Sequence, residues 1–184
     1  KKGALMVAAT INPTPDLELV TTYLHMTSRD QFRPAFNPKE GVQIVRMERP
    51  DVRYDRFLYG SVGEICRWSD RLVMPDEQLL AILQSPTNEV HVLQVGNVPA
   101  GYIELETHGG ESELAYVGLR PEYLGMGLGK HLLSFGIDRA WTHDIQRLTV
   151  HTCNLDAPAA LNNYLKRGFS IWKVERQPMP ERYL

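Results

Sequence analysis

Apolar and polar positions change their spacing several times along the chain, and each change marks an element. Residues 42–47 (VQIVRM) alternate and read as a strand that Pro50 ends. Residues 51–61 carry Val52, Tyr54, Phe57, Leu58 and Tyr59 near helical spacing, and Gly60 and Gly63 mark its decay into a loop. Pro75-Asp76-Glu77 predicts a helix start, with proline in the first turn and acids beside the positive dipole end. Leu79, Leu80, Ile82 and Leu83 supply its buried stripe. Strand candidates follow at 90–95, 100–107 and 112–119, joined at Gly96-Asn97 and Gly109-Gly110 in an antiparallel meander. Residues 128–141 place Leu128, Leu132, Leu133, Ile137 and Ala140 on one helical face. A strand at 147–153, a short helix at 158–167 capped by Gly168, and a last strand at 169–175 complete the pattern. Strands first and a βαβαβ half afterwards predict a mixed α/β sheet flanked by helices. Upstream, Pro13, Pro15, Pro34 and Pro38 interrupt the chain, and only 17–26 has strand content. Residues 1–40 are therefore expected as an N-terminal extension and residues 41–184 as a single domain.

Composition narrows the partners. A net charge of −2 offers no global field for nucleic acid or an anionic membrane. No apolar stretch approaches the ~20 residues a bilayer span needs. The short apolar run at 4–9, followed by Pro13 and Pro15, reads as a frayed arm rather than a signal peptide. Cys66 and Cys153 are too sparse for a disulfide framework and read as buried thiols of a reducing, cytoplasmic protein. The histidines show no metal-ligand spacing, so no metal is expected. The length and proline content of residues 1–40 are consistent with packing on a second copy in a homodimer.

The most informative stretch is 119–130, LRPEYLGMGLGK, which joins a strand to a helix. Gly125, Gly127 and Gly129 stand at alternate positions, where the lack of Cβ lets backbone N–H groups turn inward. With the positive end of the following helix they form an anion cradle. A dinucleotide fingerprint fails because Lys130 or Leu132 stands at its last glycine. A P-loop fails because Leu124 replaces its first glycine and His131 its hydroxyl residue. A plain strand–helix turn would hardly need three glycines.

Leu124-Gly125-Met126-Gly127-Leu128-Gly129 resembles the coenzyme A loop of the GNAT acetyltransferases, Arg/Gln-x-x-Gly-x-Gly/Ala, at every position but the first. The lead-in through Val117, Leu119, Pro121, Glu122 and Tyr123 is also similar. Downstream, the strand ending at Asn154, then Ala160, Tyr164 and Gly168-Phe169, resemble the family's ending in a bacterial branch of small proteins. The resemblance implies a mainly antiparallel GNAT-type sheet with splayed central strands, binding acetyl-CoA as cosubstrate. It implies cofactor contacts from Val117, Gly118, Leu119, the loop Leu124 to Lys130, Asn154 and Tyr164. Asn154 stands ten residues before Tyr164 rather than the family's seven, and Leu124 lacks the polar side chain usual there.

Acyl transfer to an amine needs a proton acceptor, a donor for the developing oxyanion and a proton for the departing thiolate. The resemblance implies that a backbone N–H near Val117–Leu119 faces the thioester carbonyl and that Tyr164 serves the sulfur; packing on the sheet is the alternative for Tyr164. Glu113 is the first candidate base, since simple alternation puts it on the face of Val117 and Leu119, with Glu104 and Glu106 in reserve. Residues 61–71, with Glu64, Arg67, Trp68, Asp70 and Arg71, are the expected wall of the acceptor pocket; Trp68 reads as packed anchor or as platform. The expected activity is acetyl transfer to a primary amine, on a small molecule or a peptide. A non-catalytic acetyl-CoA sensor of the same fold and a non-CoA mononucleotide-binding protein are the alternatives.

Overall fold

The computed structural model describes residues 18–183, so the expectation for the arm at 4–9 lies outside the described residues. The elements are β1 (Glu18–Met26), β2 (Val42–Arg46), α1 (Val52–Gly63), α2 (Asp70–Val73), α3 (Asp76–Gln84), β3 (Asn88–Val95), β4 (Val98–His108), β5 (Glu111–Leu119), α4 (Leu128–Ala140), β6 (Arg147–Cys153), α5 (Ala160–Lys166) and β7 (Ser170–Pro178). Local chemistry accounts for most boundaries. Asp51 caps α1 by accepting from Tyr54 N–H at 2.8 Å. Gly96 and Asn97 both take positive φ, the backbone of a tight hairpin turn, so β3 folds straight back as β4.

The seven strands lie in the order β2-β3-β4-β5-β6-β1-β7. Every pairing is antiparallel except β5 with β6. That one parallel pair is short, covering only Glu111–Arg147, Ser112–Leu148 and Glu113–Thr149. Beyond it the two strands part, and the sheet divides into a four-stranded and a three-stranded half. The segment expected as an extension supplies the central strand of the second half. β1 pairs with both β6 and β7, burying Leu19, Leu24 and Met26 among a run of β-branched and aromatic residues suited to a pleated surface.

Two apolar clusters flank the sheet. One packs Leu128, Leu132, Leu133 and Ile137 of α4 on Ile103, Leu105, Leu114 and Leu119. The other sets Leu58, Val62, Leu79 and Leu83 of α1 and α3 on Val90, Val92 and Tyr102. Charges are buried on both sides. Glu89 of β3 accepts from Arg139 of α4 through two 2.8 Å hydrogen bonds and lies 2.8 Å from His91 Nε2. Burial works against this carboxylate, but the hydrogen bonds from Arg139 and His91 outweigh it and hold its pKa down to about 2. Since that value lies below the ordinary 4.5, the stabilisation is complete above pH ~4.5 and fades as pH falls towards ~2. Glu89→Gln is expected to lose about 2–3 kcal/mol at pH 7 and to flatten the acid limb of stability. Thermal melts between pH 2 and 7 would show both; an unchanged acid limb would remove Glu89 from the account.

On the opposite face Arg71 reaches under the sheet to Glu104, with Nη–Oε distances of 2.5 and 2.6 Å, and to Asp55 at 3.2 Å. Its guanidinium also lies 4.6 Å from the centre of the Tyr116 ring. Burial raises the Asp55 pKa to about 6 against the pull of Arg71. Glu104, a reserve base on sequence grounds, is thus consumed by a buried ion cluster, and Arg71 belongs to that cluster rather than to an open pocket wall.

Candidate active site

Where β5 and β6 part, a cleft of about 780 Å³ opens through the sheet. Its walls differ by face because β5 carries a bulge. Glu104 faces Tyr116 while Leu105 faces Leu114, so Ala115 is an extra residue on β5. The bulge inverts the alternation. Val117 and Leu119 continue the face of Leu114 towards α4, whereas Glu113 shares the other face with Tyr116 and Gly118. The expected common face for Glu113, Val117 and Leu119 is therefore corrected: a two-residue period cannot register one inserted residue.

Past the bulge the backbone offers donors. Arg120 N–H bonds back to Ala100 O on β4 at 2.8 Å. By strand alternation the N–H groups of Leu119 and Val117 point the other way, into the gap left by β6. Gly118 has no room for a side chain, since a Cβ there would lie 2.5 Å from Val62 of α1.

At the cleft mouth stands the glycine loop. Gly125 and Gly127 take φ of +77° and +74°, the left-handed region that favours glycine. Gly127 is the N-cap of α4 and provides no side-chain cap. The first-turn N–H groups are therefore left without a side-chain acceptor, at the positive end of a 13-residue helix. Leu124, Gly125, Gly127, Leu128, Gly129 and Lys130 line the cleft. Met126 is not in the lining; its carbonyl instead accepts from Lys39 Nζ at 2.7 Å. These features fit an extended ligand ending in phosphates.

Tyr164 of α5 lines the cleft from the far side, 8% exposed, with Phe169 edge-on to its ring at 6.1 Å. Burial, then the nearby Asp156 and Cys66, push its pKa up, so the hydroxyl keeps its proton at neutral pH. Asn154 takes no part in the cleft lining. Its Oδ1 accepts from Val20 N–H at 3.0 Å and its Nδ2 donates to Glu18 O at 2.9 Å, which occupies the side chain in holding β1.

Glu113 reaches the cleft through an intermediary. His151 of β6 lines it, and its Nδ1 lies 3.1 Å from Glu113 Oε1. That hydrogen bond raises the His151 pKa, with burial opposing. Nothing in the sequence marked His151, because it pairs with Glu113 across strands 38 residues apart. Glu106 faces solvent beside His108, 2.7 Å away, clear of the cleft. Tyr59, Trp68 and Tyr116 form one aromatic group on the α1 side, with ring centres 5.2–5.4 Å apart, and Asp70 lies beside it in the lining. Trp68 is thus both packed and exposed to the cleft. Both thiols, Cys66 and Cys153, are free, half-buried and part of the same lining.

Residues 58–169 match the profile of the Acetyltransferase (GNAT) family, and the chain belongs to that family. A GCN5-related N-acetyltransferase from Kribbella flavida shares the fold at TM-score 0.62 and 14% identity, over 88% of this chain and 58% of that one. A GCN5-related N-acetyltransferase from Sphaerobacter thermophilus gives TM-score 0.62 and 16% identity, over 88% and 52%. An aminoglycoside acetyltransferase from an uncultured soil metagenomic sample, in complex with trehalose, gives 0.58 and 15%, over 69% and 87%. The chain spans only 50–60% of the length of the first solved structures it matches. No match was found among curated proteins. Among the described residues no helix is long and apolar enough to cross a membrane.

Proposed function

We propose that the protein is an acetyl-CoA-dependent N-acetyltransferase acting on a primary amine. The observation that carries this reading is the cleft itself. It joins an uncapped helix N-terminus at its mouth to two backbone donors and a protonated tyrosine inside, with a half-exposed, carboxylate-backed histidine on its wall. Acetyl-CoA would supply an acetyl group already activated as a thioester. The loop from Gly125 to Lys130 would hold the phosphates on N–H groups and one ammonium. The N–H groups of Val117 and Leu119 would hold the carbonyl oxygen. Tyr164 Oη would hold a proton for the departing sulfur. His151 would accept the amine proton at Nε2 while Glu113 fixes Nδ1, a change from direct action by Glu113. The aromatic group with Asp70 beside it favours a cationic acceptor. Likeness of fold to the aminoglycoside enzyme does not select that class of amine.

Thiol release from acetyl-CoA across a panel of primary amines tests the assignment. Turnover is expected on at least one amine. The profile of kcat/KM should rise with pH about a midpoint above the ordinary histidine value, because neutral His151 is the active form. Glu113→Gln should move that midpoint to lower pH. Tight acetyl-CoA binding without turnover on any amine would leave a sensor, a reading that Leu124, a half-exposed apolar residue at the cradle, would then support.

A further inference from the structure

The connection from β1 to β2 runs from the three-stranded half of the sheet to the far edge of the four-stranded half. It crosses the mouth of the cleft on the way. Pro34 and Pro38 stiffen this strap, and a series of hydrogen bonds fastens it to α4 and the glycine loop. Ala35 N–H donates to Ser134 Oγ at 2.9 Å, and Asn37 N–H donates to His131 Nδ1 at 3.0 Å. Asn37 Nδ2 donates to Gly127 O at 3.3 Å, and Lys39 Nζ donates to Met126 O at 2.7 Å.

The last two contacts engage the carbonyls of successive peptide units. Among the described residues there is no cis peptide bond, and in a trans unit the C=O and the following N–H point in opposite directions. Drawing Met126 O towards Lys39 turns Gly127 N–H away from the strap. Drawing Gly127 O towards Asn37 does the same for Leu128 N–H. Gly127 and Leu128 both line the cleft. Asn37 also fills the space beside Gly127, where a Cβ would lie 2.8 Å from Nδ2.

We propose that Asn37 and Lys39, both outside the family match at 58–169, are positioning residues for the phosphate cradle. They fix two peptide planes so that the N–H groups of Gly127 and Leu128 present themselves to the pyrophosphate. The inference rests on the acetyl-CoA reading above, and its test separates the two. Calorimetric titration of wild type, Asn37→Ala, Lys39→Met and Lys39→Arg would use CoA and dephospho-CoA, which keeps the pyrophosphate but lacks the 3′-phosphate. Asn37→Ala and Lys39→Met should each weaken both ligands about fivefold, the factor for one lost hydrogen bond. Lys39→Arg, which keeps a donor in reach, should recover to about twofold of wild type. KM for acetyl-CoA should rise while kcat and KM for the amine stay put, and the melting temperature of the free protein should fall by no more than about 4 °C, the cost of one hydrogen bond. A penalty on CoA that vanishes with dephospho-CoA would make Lys39 a direct 3′-phosphate contact and overturn the proposal. An equal loss in kcat, a fall in melting temperature well beyond about 4 °C, or unchanged affinities would also overturn it. Failure of the wild type to bind CoA at all would instead sink the acetyl-CoA reading, and the inference with it.

Discussion

Tyr164→Phe is expected to lower kcat by about 100-fold, the lower end of what a positioned proton donor contributes, while CoA affinity stays within about twofold. The substitution is narrow. The ring keeps its place against Phe169 and only the hydroxyl goes. Burial keeps that hydroxyl protonated through the neutral range, so it acts as donor and not as base. A thiolate leaving without a proton is a poorer leaving group, and the deficit falls on the chemical step rather than on binding. Steady-state thiol release together with calorimetry would separate the two quantities. Unchanged kcat would reduce Tyr164 to a packing residue.

Arg71→Leu should have the largest effect on stability, about 3–5 kcal/mol, the usual penalty for breaking a buried ion pair from one side. Asp55 and Glu104 are each within 1% of complete burial, and Arg71 is the cation between them. Without it two carboxylates share an apolar space, and one must take up a proton or the region must open. The pH dependence follows from the sign of the Asp55 shift. Its folded pKa, about 6, lies above the ordinary value of 3.8. The folded state therefore holds the proton more tightly, and stability falls as pH rises from ~4 through ~6. The variant should suffer more at pH 8 than at pH 4.5 relative to wild type. Urea unfolding at the two pH values measures this, and equal losses at both would mean that packing, not charge, explains the effect.

Much of the fold could be read from the chain because local chemistry encodes it. Pro75 and the following acids start α3, Gly96-Asn97 turns the hairpin, and the glycines at 125, 127 and 129 locate the cradle. What escaped depends on partners distant in sequence. The bulge at Ala115 exists only in the pairing of β4 with β5, yet it decides which face Glu113 occupies. Glu104 is one strand glutamate among several until Arg71 is seen beneath it. Asn37 and Lys39 flank Pro38 in an aperiodic stretch where no hydrophobic period reports a contact. Asn154 is an instructive case: a side chain at the end of β6 met β1, which comes from the opposite end of the chain.

The place of β1 also bears on how the molecule forms. Its residues are among the first described and pair with the last strand, Glu18 lying opposite Pro178 and Thr21 opposite both Cys153 and Glu175. Contacts of such long sequence separation close large loops and slow folding. During synthesis β2 to β5 and their helices can collapse as soon as they emerge, whereas β1 must wait for β6 and β7. Until then its apolar residues and unpaired edges are exposed, and the three-stranded half of the sheet is the region most open to mispairing.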